Sequence, residues 1–298
     1  MPTRCHDRGE GVESDRHQPT DKNEVVHDWP MIDDPADPRL VDYIGLTDRD
    51  IVRRHESEQF FIAEGPEVVR RLVASGLPIR SIVLAPNRVD DMTANLIDVT
   101  APIFIAERAV ISAVAGFDLH RGVIASAARP PLVSLDEVLS RPTPHGRPHR
   151  LAVLEGLNDH ENLGAIARSA RAFEIDALVL DPTCADPYYR RTIRVSMGEI
   201  LFLPIVRSTI ADVLAAVRRH GGSSLALTPD RSAPSLTDIQ LPSDGPLALV
   251  FGSEGFGLDA TTLDACDSRA RIPIAHDVDS LNVGHAAAVA FAFTHRPA

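Results

Sequence analysis

The sequence predicts an α/β protein made of two units, in which short strands alternate with helices. Apolar runs such as Leu247–Phe251 are followed by stretches whose apolar residues repeat at helical spacing. A strand that is apolar on both faces is typical of a parallel sheet covered by helices on each side. With 298 residues, of which 44% are hydrophobic, the chain can bury two modest cores.

Residues 1–42 are predicted to form a flexible acidic tail. They are rich in Asp, Glu, Pro and His and contain few large apolar side chains. Burial of so little apolar surface cannot offset the conformational entropy that ordering the segment costs.

Residues 43–127 are predicted to form a small α/β unit. The pair Gly65-Pro66 opens a helix whose apolar residues recur at helical spacing and which ends near Gly76. Strands are expected at 60–63, 81–84, 102–105 and 122–126, and further helices at 48–58 and 109–114.

Residues 128–149 are predicted to be a linker, because five prolines in this segment fix the backbone and remove hydrogen-bond donors. One short helix is expected within it, at 135–139.

Residues 150–298 are predicted to form the second unit, a parallel sheet with helices on both faces. Strands are expected at 151–154, 177–180, 200–204, 224–227, 247–251 and 271–274, and helices at 162–173, 210–220, 259–266 and 283–294.

The composition argues against several classes of protein. No apolar stretch reaches the roughly 18 residues of a membrane span, and the N-terminus lacks the pattern of a signal peptide, so a cytoplasmic protein is expected. Cys5, Cys184 and Cys266 are scattered without C-x-x-C spacing, which indicates neither a disulfide framework nor a metal site.

The charge pattern leaves nucleic-acid binding open. A formal net charge of -12 argues against it on average, since phosphate binding depends on basic residues. Every basic residue except Lys22 is an arginine, however, and a guanidinium can bind phosphate through two hydrogen bonds. Clustered arginines such as Arg168 and Arg171 indicate either local basic patches or solvated helix faces.

The first of three unusual polar loops follows the predicted strand at 151–154 and leads to Asn162 and Arg168. Asn162 is suited to cap the next helix, and Arg168 lies less than two helical turns further on. A guanidinium near the amide-rich start of a helix also creates a corner that attracts anions. A simple cap and an anion site are both consistent with this pattern.

The second loop, Gly252-Ser253-Glu254-Gly255-Phe256-Gly257, follows the most apolar strand. Its three glycines indicate positive φ angles or the close approach of a ligand. Gly255, Gly257 and Ala260 also fit a loose dinucleotide fingerprint, with acidic residues about 20 positions further on. That fingerprint belongs on the first strand of a nucleotide-binding half, whereas only one strand is predicted to follow here.

The third loop, Ser280-Leu281-Asn282, lies between Ile272-Pro273-Ile274 and an alanine-rich helix. Either Ser280 or Asn282 is suited to cap that helix. Capping alone does not explain why all three polar loops fall at strand ends of one sheet. Strand ends are where open α/β sheets bind their ligands.

The three loops together resemble the SpoU class of RNA methyltransferases in the SPOUT superfamily. The shared pattern is N-x-G-A-I-x-R at 162–168, G-S-E-G-x-G at 252–257, and I-P-I followed by S-L-N-V up to Val283. The first unit resembles an L30e-like substrate-binding domain through the run from Phe61 to Gly65 and the strand from Ile82 to Leu84. Gly284 and His285 depart from the small side chains that are usual at these positions of the family.

The resemblance implies a C-terminal α/β domain with a deep trefoil knot that binds S-adenosylmethionine. It also implies a homodimer that methylates ribose 2'-hydroxyl groups of rRNA or tRNA without a metal. By position in the motifs, cofactor contacts are expected from Leu227, Gly252, Ile272 and Leu281, and catalytic roles from Asn162, Arg168, Glu254, Ser280 and Asn282. Because a guanidinium is hardly ever deprotonated, Arg168 is expected to clamp a phosphate of the RNA rather than to act as general base.

RNA contacts are also expected from Arg190, Arg191 and Arg194, which follow two tyrosines directly after a predicted strand. Alternatively, the tyrosines pack at a dimer interface and these arginines are solvated. Two further functions stay open beside the methyltransferase: a catalytically silent RNA-binding paralogue and a dinucleotide-dependent oxidoreductase.

Overall fold

The computed structural model describes residues 28–47 and 59–295, which form two β-sheets with helices packed against them. The predicted helix at 48–58 and the first 27 residues of the predicted tail lie outside the described residues. Among the described residues, no helix is both long enough and apolar enough to cross a bilayer.

The first sheet has five strands in the order β1-β4-β3-β5-β2. β1, β4 and β3 are parallel to one another, whereas β5 is antiparallel to both of its neighbours. The strands are β1 (Met31–Ile32), β2 (Phe60–Glu64), β3 (Ile79–Leu84), β4 (Ile103–Ala106) and β5 (Val123–Ala128), and the helices of this unit are α1 (Pro66–Ser75), α2 (Val89–Leu96) and α3 (Arg108–Ala115).

The prediction of a flexible tail over residues 1–42 is wrong for residues 28–42. Ile32 lies in β1, pairs with β4 and is buried, as are Leu40 and Tyr43 in the 3₁₀ helix that follows. The Tyr43 hydroxyl donates to the backbone oxygen of Ser81 at 2.9 Å. A few well-placed apolar anchors therefore order a segment whose average composition is polar.

The second sheet is wholly parallel, with six strands in the order β11-β9-β10-β6-β7-β8. The strands are β6 (Arg150–Leu154), β7 (Ala177–Leu180), β8 (Ile205–Arg207), β9 (Ser223–Leu227), β10 (Leu247–Phe251) and β11 (Ser268–Ala270). The helices are α4 (Leu135–Ser140), α5 (His160–Ala172), α6 (Arg190–Val195), α7 (Ile210–Arg219), α8 (Ala260–Ala265) and α9 (Val283–Thr294). The predicted α/β fold with a parallel sheet is confirmed.

The chain enters this sheet at its centre, builds β7 and β8 on one side, and then crosses to the other side. β10 pairs with both β6 and β9, so strands that follow β8 in the chain lie on the opposite side of β6 from β7 and β8. Such reversals of strand order open a crevice at the carboxyl ends of parallel strands. The loops after β9 and β10 therefore share one edge of the sheet.

Two of the predicted strands are misplaced. Residues 199–202 form a 3₁₀ helix instead of a strand, because Ile200 and Leu201 are buried in the core that joins the two units. The last strand ends at Ala270, before the predicted 271–274, and Arg271 forms only a single bridge with Ser235. Pro273 has no N–H to donate to a sheet.

The two units share one continuous hydrophobic core that includes Phe61 of the first and Leu163 of the second. Phe61 stacks on Tyr188 with ring centroids 5.7 Å apart. The predicted linker is also ordered, because buried side chains of α4 belong to the core around β6 and α7. The first unit is therefore held firmly against the second.

Candidate functional site

A cavity of about 290 Å³ lies at the carboxyl ends of β9 and β10. Its walls come from the loops after β9, β10 and β11 and from the start of α9. All four residues predicted to contact a cofactor line it, namely Leu227, Gly252, Ile272 and Leu281. Three of the five predicted catalytic residues also line it, namely Glu254, Ser280 and Asn282. Asn162 and Arg168 are not among the lining residues.

The glycine-rich loop after β10 owes its shape to the absence of side chains. A Cβ atom on Gly252 would lie 2.1 Å from the carbonyl carbon of Gly257, so only glycine fits where the loop folds back on itself. Gly255 and Gly257 have φ angles of +88° and +72°, in the left-handed region that favours glycine. The N–H of Gly257 donates to the Ser253 oxygen at 3.0 Å and closes the loop.

The side chain of Asn282 connects all three polar loops. Its Nδ2 donates to Asn162 Oδ1 at 2.8 Å and to Glu254 Oε1 at 2.5 Å. Its Oδ1 accepts from the backbone N–H of Gly284 at 2.9 Å and of His285 at 3.3 Å, which caps α9. Both amide hydrogens and the carbonyl oxygen are engaged, and this pattern determines the orientation of the amide. Of the two predicted candidates, Ser280 and Asn282, it is Asn282 that caps α9, and its side chain is also the hub of the site.

Asn162 does not cap its helix, contrary to prediction. Asp159 is the cap, and its Oδ1 accepts from the N–H of Asn162 at 2.8 Å. The helix therefore begins earlier than predicted, at His160. This start places Asn162 in the first turn, buried, with its amide oxygen free to accept from Asn282.

Small residues let the helices around this hub approach one another. A Cβ on Gly284 would lie 3.3 Å from the Cβ of Ala165 in α5, so glycine here keeps α9 close to α5. A Cβ on Gly164 would lie 2.8 Å from the Thr192 oxygen of α6. The side chain of His285 is exposed and does not line the cavity.

Arg168 is not brought to the cavity of its own chain. It lies six residues after Asn162 on α5, which turns it about 120° away around the helix axis. Its side chain is exposed, and it has no ion pair or side-chain hydrogen bond with any residue that the structure describes. Arg168 and Asn162 therefore face different surroundings.

The three other arginines predicted to contact RNA differ in exposure. Arg190 lies between the units, 2.5 Å from Glu64, with its guanidinium 4.2 Å from the ring centroid of Phe117 and its side chain 19% exposed. This enclosed position argues against the predicted role of Arg190 as an RNA contact. Arg191 pairs with Glu161 at the surface, and Arg194 is 41% exposed with a nitrogen 3.9 Å from Glu64.

The tyrosines before α6 both pack against side chains of the same chain. Tyr188 is buried against Phe61, and Tyr189 lies against His160 with ring centroids 4.4 Å apart. Burial lowers the pKa of His160, and it outweighs the opposite effect of Asp186 and Asp159.

No sequence pattern predicts the strap, which is the set of hydrogen bonds from Arg231 to the loop after β11. Arg231, in the loop after β9, donates to Nδ1 of His276 at 2.7 Å and also to the backbone oxygen of His276. A weaker contact reaches the Val278 oxygen at 3.4 Å. The strap joins the loops that carry Pro229 and Ile274, both of which line the cavity.

Metal binding is not supported within the described ranges. Among residues 28–47 and 59–295, no cluster of His, Cys, Asp and Glu side chains could hold a metal ion. Glu254 is the one ionisable side chain among the described residues that line the cavity. The site is thus an apolar cleft with hydroxyl, amide and backbone groups.

Comparisons with known sequences give a consistent result. A profile of the SpoU rRNA Methylase family matches residues 149–292. An uncharacterised tRNA/rRNA methyltransferase of Mycobacterium tuberculosis is 41% identical over 263 residues, which is 87% of this chain and 88% of that one. A 23S rRNA (guanosine-2'-O-)-methyltransferase of a Burkholderia species is 34% identical over 192 residues, or 63% and 75% of the two chains.

Solved structures share the fold over most of the chain. An RNA 2'-O ribose methyltransferase superposes with a TM-score of 0.72 at 27% identity, covering 88% of this chain and 97% of that one. An AdoMet-bound rRNA methyltransferase from Sinorhizobium meliloti superposes with a TM-score of 0.73 at 23% identity, covering 88% and 96%.

Proposed function

The chain belongs to the SpoU rRNA methylase family, and we propose that it transfers a methyl group from S-adenosylmethionine to a ribose 2'-hydroxyl of rRNA or tRNA. The observation that carries the proposal is the junction of three family motifs at Asn282, beside a cavity lined by all four predicted cofactor residues. The relatives named above act on tRNA or rRNA, and one of them modifies a guanosine 2'-oxygen.

The residues of the cavity fit S-adenosylmethionine in size and character. A volume of about 290 Å³ lies at the lower end of the range for small-molecule sites, roughly 300–1,000 Å³. Leu227, Ile272 and Leu281 supply apolar walls for the flat heteroaromatic ring of the cofactor. Ser280 and Glu254 supply polar groups for the charged end of the cofactor. We therefore assign the first three to the adenosyl portion.

The cofactor supplies a methyl group bonded to a sulfonium, so the reaction needs alignment and the loss of one proton from the 2'-hydroxyl. Asn282 holds the glycine loop and the start of α9 in one arrangement through its bonds to Glu254 and Asn162. Ser280 and Leu281 then hold the cavity wall beside the ribose. The proton passes to water or to an RNA phosphate.

We further propose a homodimer that forms through the outward face of α9. Val289 and Phe293 on this face are 43% and 42% exposed, whereas Ala287, Ala290 and Phe291 on the inward face are buried. An apolar helix face of this kind is stabilised by a second copy. Since Arg168 does not face its own cavity, it is assigned to the cavity of the partner, where it would clamp an RNA phosphate.

A mixture of two inactive variants tests this arrangement. Arg168→Ala and Asn282→Ala chains carrying different tags are co-expressed, and the mixed dimer is purified through both tags. If Arg168 acts across the dimer, one cavity of the mixed dimer has both residues and methyl transfer returns to about half of the wild-type rate. If Arg168 acts within its own chain, the mixed dimer stays inactive.

A knot is the expected topology of the segment that follows β11. The loop after β9 holds this segment through several hydrogen bonds. Leu236 N–H donates to the Arg271 oxygen at 2.8 Å, Arg271 N–H donates to the Pro234 oxygen at 2.9 Å, and Arg231 donates to His276. The chain then turns into α9, which packs on α5. These contacts support a C-terminal end that passes beneath the loop after β9.

RNA is proposed to lie across both units. Arg168 and Arg191 have exposed side chains on α5 and α6, and Arg194 on α6 is 41% exposed. The first unit contacts α6 through Glu64 and would present the RNA as an L30e-like substrate-binding domain. We exclude Arg190 from this surface because its side chain is only 19% exposed, between Glu64 and the ring of Phe117, whereas Arg191 is 54% exposed.

The proposed function is tested by calorimetric titration with S-adenosylmethionine and NAD, followed by transfer of labelled methyl groups to unmodified rRNA and tRNA. We expect the protein to bind S-adenosylmethionine but not NAD, and to label one RNA. In cells that lack the gene, that RNA should lack the 2'-O-methyl group. Cofactor binding without transfer to any RNA would support the silent paralogue. Binding of NAD in place of S-adenosylmethionine would support the oxidoreductase.

A further inference from the structure

Phe256 is far more exposed than any other large apolar side chain in the described part of the structure. Its exposed fraction is 96%, against 58% for the next, Ile97. Single exposed apolar residues are common on protein surfaces. This ring differs because it lies at the tip of the glycine-rich loop, between Gly255 and Gly257, which both line the cavity.

The loop holds the ring outward. Gly252 is packed against the backbone of Gly257, and the bridge between Ser253 and Gly257 closes the loop. Glu254 ties the loop to Asn282. The phenyl ring therefore projects from the tip of a loop that is held at both ends and on one side.

The rim around the cavity mouth carries further exposed apolar groups. Leu281 and Val278, in the loop that follows β11, are 37% and 41% exposed. Leu281 lines the cavity itself. The mouth of the cavity thus offers apolar surface on the side of Phe256 and on the side of Leu281.

We propose that Phe256 is a stacking platform for a base of the RNA substrate, either the target nucleotide or its neighbour. The inference rests on the proposed function. A ribose whose 2'-oxygen attacks a methyl group held in the cavity must lie at the mouth. Its base, and the bases next to it, then lie over the rim, where Phe256 presents an open aromatic face.

The chemistry of the rim favours a base over other occupants. Every base has a flat π-face, and proteins that bind single-stranded RNA stack such faces on aromatic side chains. The cofactor is not the occupant, because Phe256 is not one of the lining residues. A second copy of the chain is assigned to α9, a different element of the structure.

The first test compares Phe256→Ala, Phe256→Leu and Phe256→Tyr in the full-length protein. Stacking of one base predicts that alanine weakens the affinity for an unmodified rRNA or tRNA transcript by about 5- to 100-fold. Leucine keeps apolar bulk but has no flat face, so it should behave like alanine, whereas tyrosine should behave like the wild type. The rate at saturating RNA and the affinity for S-adenosylmethionine should change by less than about twofold for all three.

The second test uses fluorescence of a Phe256→Trp variant titrated with poly(U) and poly(A). The wild type contains one tryptophan, Trp29, whose emission is the control. Stacking predicts saturable quenching in the variant that is absent from the wild type. Equal quenching by both polymers would indicate the sequence tolerance that a π-face confers.

Three results would overturn the stacking role. The first is an RNA affinity of Phe256→Leu equal to that of Phe256→Tyr, and the second is a change of oligomer mass in Phe256→Ala at unchanged RNA affinity. The third is a loss of affinity for S-adenosylmethionine. The first would indicate a simple apolar contact, the second a contact between copies, and the third a wall of the cofactor site. A wild-type protein that binds RNA but never transfers a methyl group would contradict the proposed function while leaving the fluorescence test valid.

Discussion

The amide of Asn282 donates to Asn162 Oδ1 at 2.8 Å and so joins the start of α9 to the start of α5, across 120 residues of sequence. The same nitrogen donates to Glu254 in the loop after β10. One side chain thereby sets the relative position of three segments around the cavity. We expect a substitution of Asn282 to change the affinity for the cofactor more than it changes the free energy of unfolding.

Asn282→Ala and Asn282→Ser separate these two effects. Alanine removes the cap of α9 and should lower the free energy of unfolding by about 0.5–2 kcal/mol. Serine can still cap the helix but cannot reach both Glu254 and Asn162, so its stability should stay near that of the wild type. Both variants should bind S-adenosylmethionine at least about tenfold more weakly, a loss of about 1.4 kcal/mol. Normal cofactor affinity in the serine variant would contradict the hub role.

Gly252→Ala should disrupt the loop, whereas Gly255→Ala should only strain it. The first places a Cβ 2.1 Å from the backbone of Gly257, which cannot move aside without opening the loop. The second meets no atom within 4 Å but keeps a φ of +88°, which costs an alanine roughly 1–2 kcal/mol. Calorimetric affinity for S-adenosylmethionine and thermal unfolding should rank Gly252→Ala below Gly255→Ala. The reverse order would show that strain matters more than close approach.

Arg190→Ala should act on stability rather than on RNA binding. It leaves the buried carboxylate of Glu64 with only the distant Arg194, whose nitrogen lies 3.9 Å away. We expect a loss of about 2–4 kcal/mol in the free energy of unfolding. Urea unfolding measures this loss, and Arg191→Ala is the exposed control that should lose less than about 0.5 kcal/mol.

The salt dependence of RNA binding should show the opposite pattern. Arg191→Ala should lower the slope of log affinity against log salt concentration if Arg191 contacts a phosphate. Arg190→Ala should leave that slope unchanged when measured well below its unfolding temperature. A reduced slope for Arg190→Ala would show that Arg190 does contact RNA.

Cys184 should become a source of instability at alkaline pH. Burial raises the pKa of its thiol from 9 to about 12, so the folded protein keeps a proton that the unfolded chain loses. Its contribution to stability is complete below pH 9 and is lost as the pH rises from 9 towards 12. By pH 10 the loss should be on the order of 1 kcal/mol. Urea unfolding of Cys184→Ala between pH 7 and 10 should lack this component.

Arg231 should hold the cofactor loops through its strap to His276. Arg231→Ala removes hydrogen bonds to the ring and to the backbone oxygen, and we expect a cofactor affinity about 3- to 10-fold weaker. His276→Asn is the matched control, because an amide oxygen can replace Nδ1 as acceptor. If His276→Asn bound the cofactor more weakly, or if Arg231→Ala bound it as well as the wild type does, the loops would be held by other contacts.

Prediction from sequence succeeded where local chemistry decides the structure. The strands Ala177–Leu180 and Leu247–Phe251 and the helix Val283–Thr294 begin and end as predicted. Each has an unbroken apolar run or a strong cap at its boundary. Prediction failed at residues 199–202, where apolar side chains are buried between the two units instead of in a sheet.

The sequence by itself determined the alternation of strands and helices, the glycine-rich loop after β10, and a polar cap for α9 at Ser280 or Asn282. These features depend on backbone propensity, positive φ and capping, which act within a few residues. Only the tertiary structure decided that Asn282 is shared with Asn162 and Glu254, that Arg190 pairs with Glu64, and that Phe256 is left exposed. Such relationships depend on which distant segments the topology brings together, and no periodicity or local preference in the chain encodes that distance.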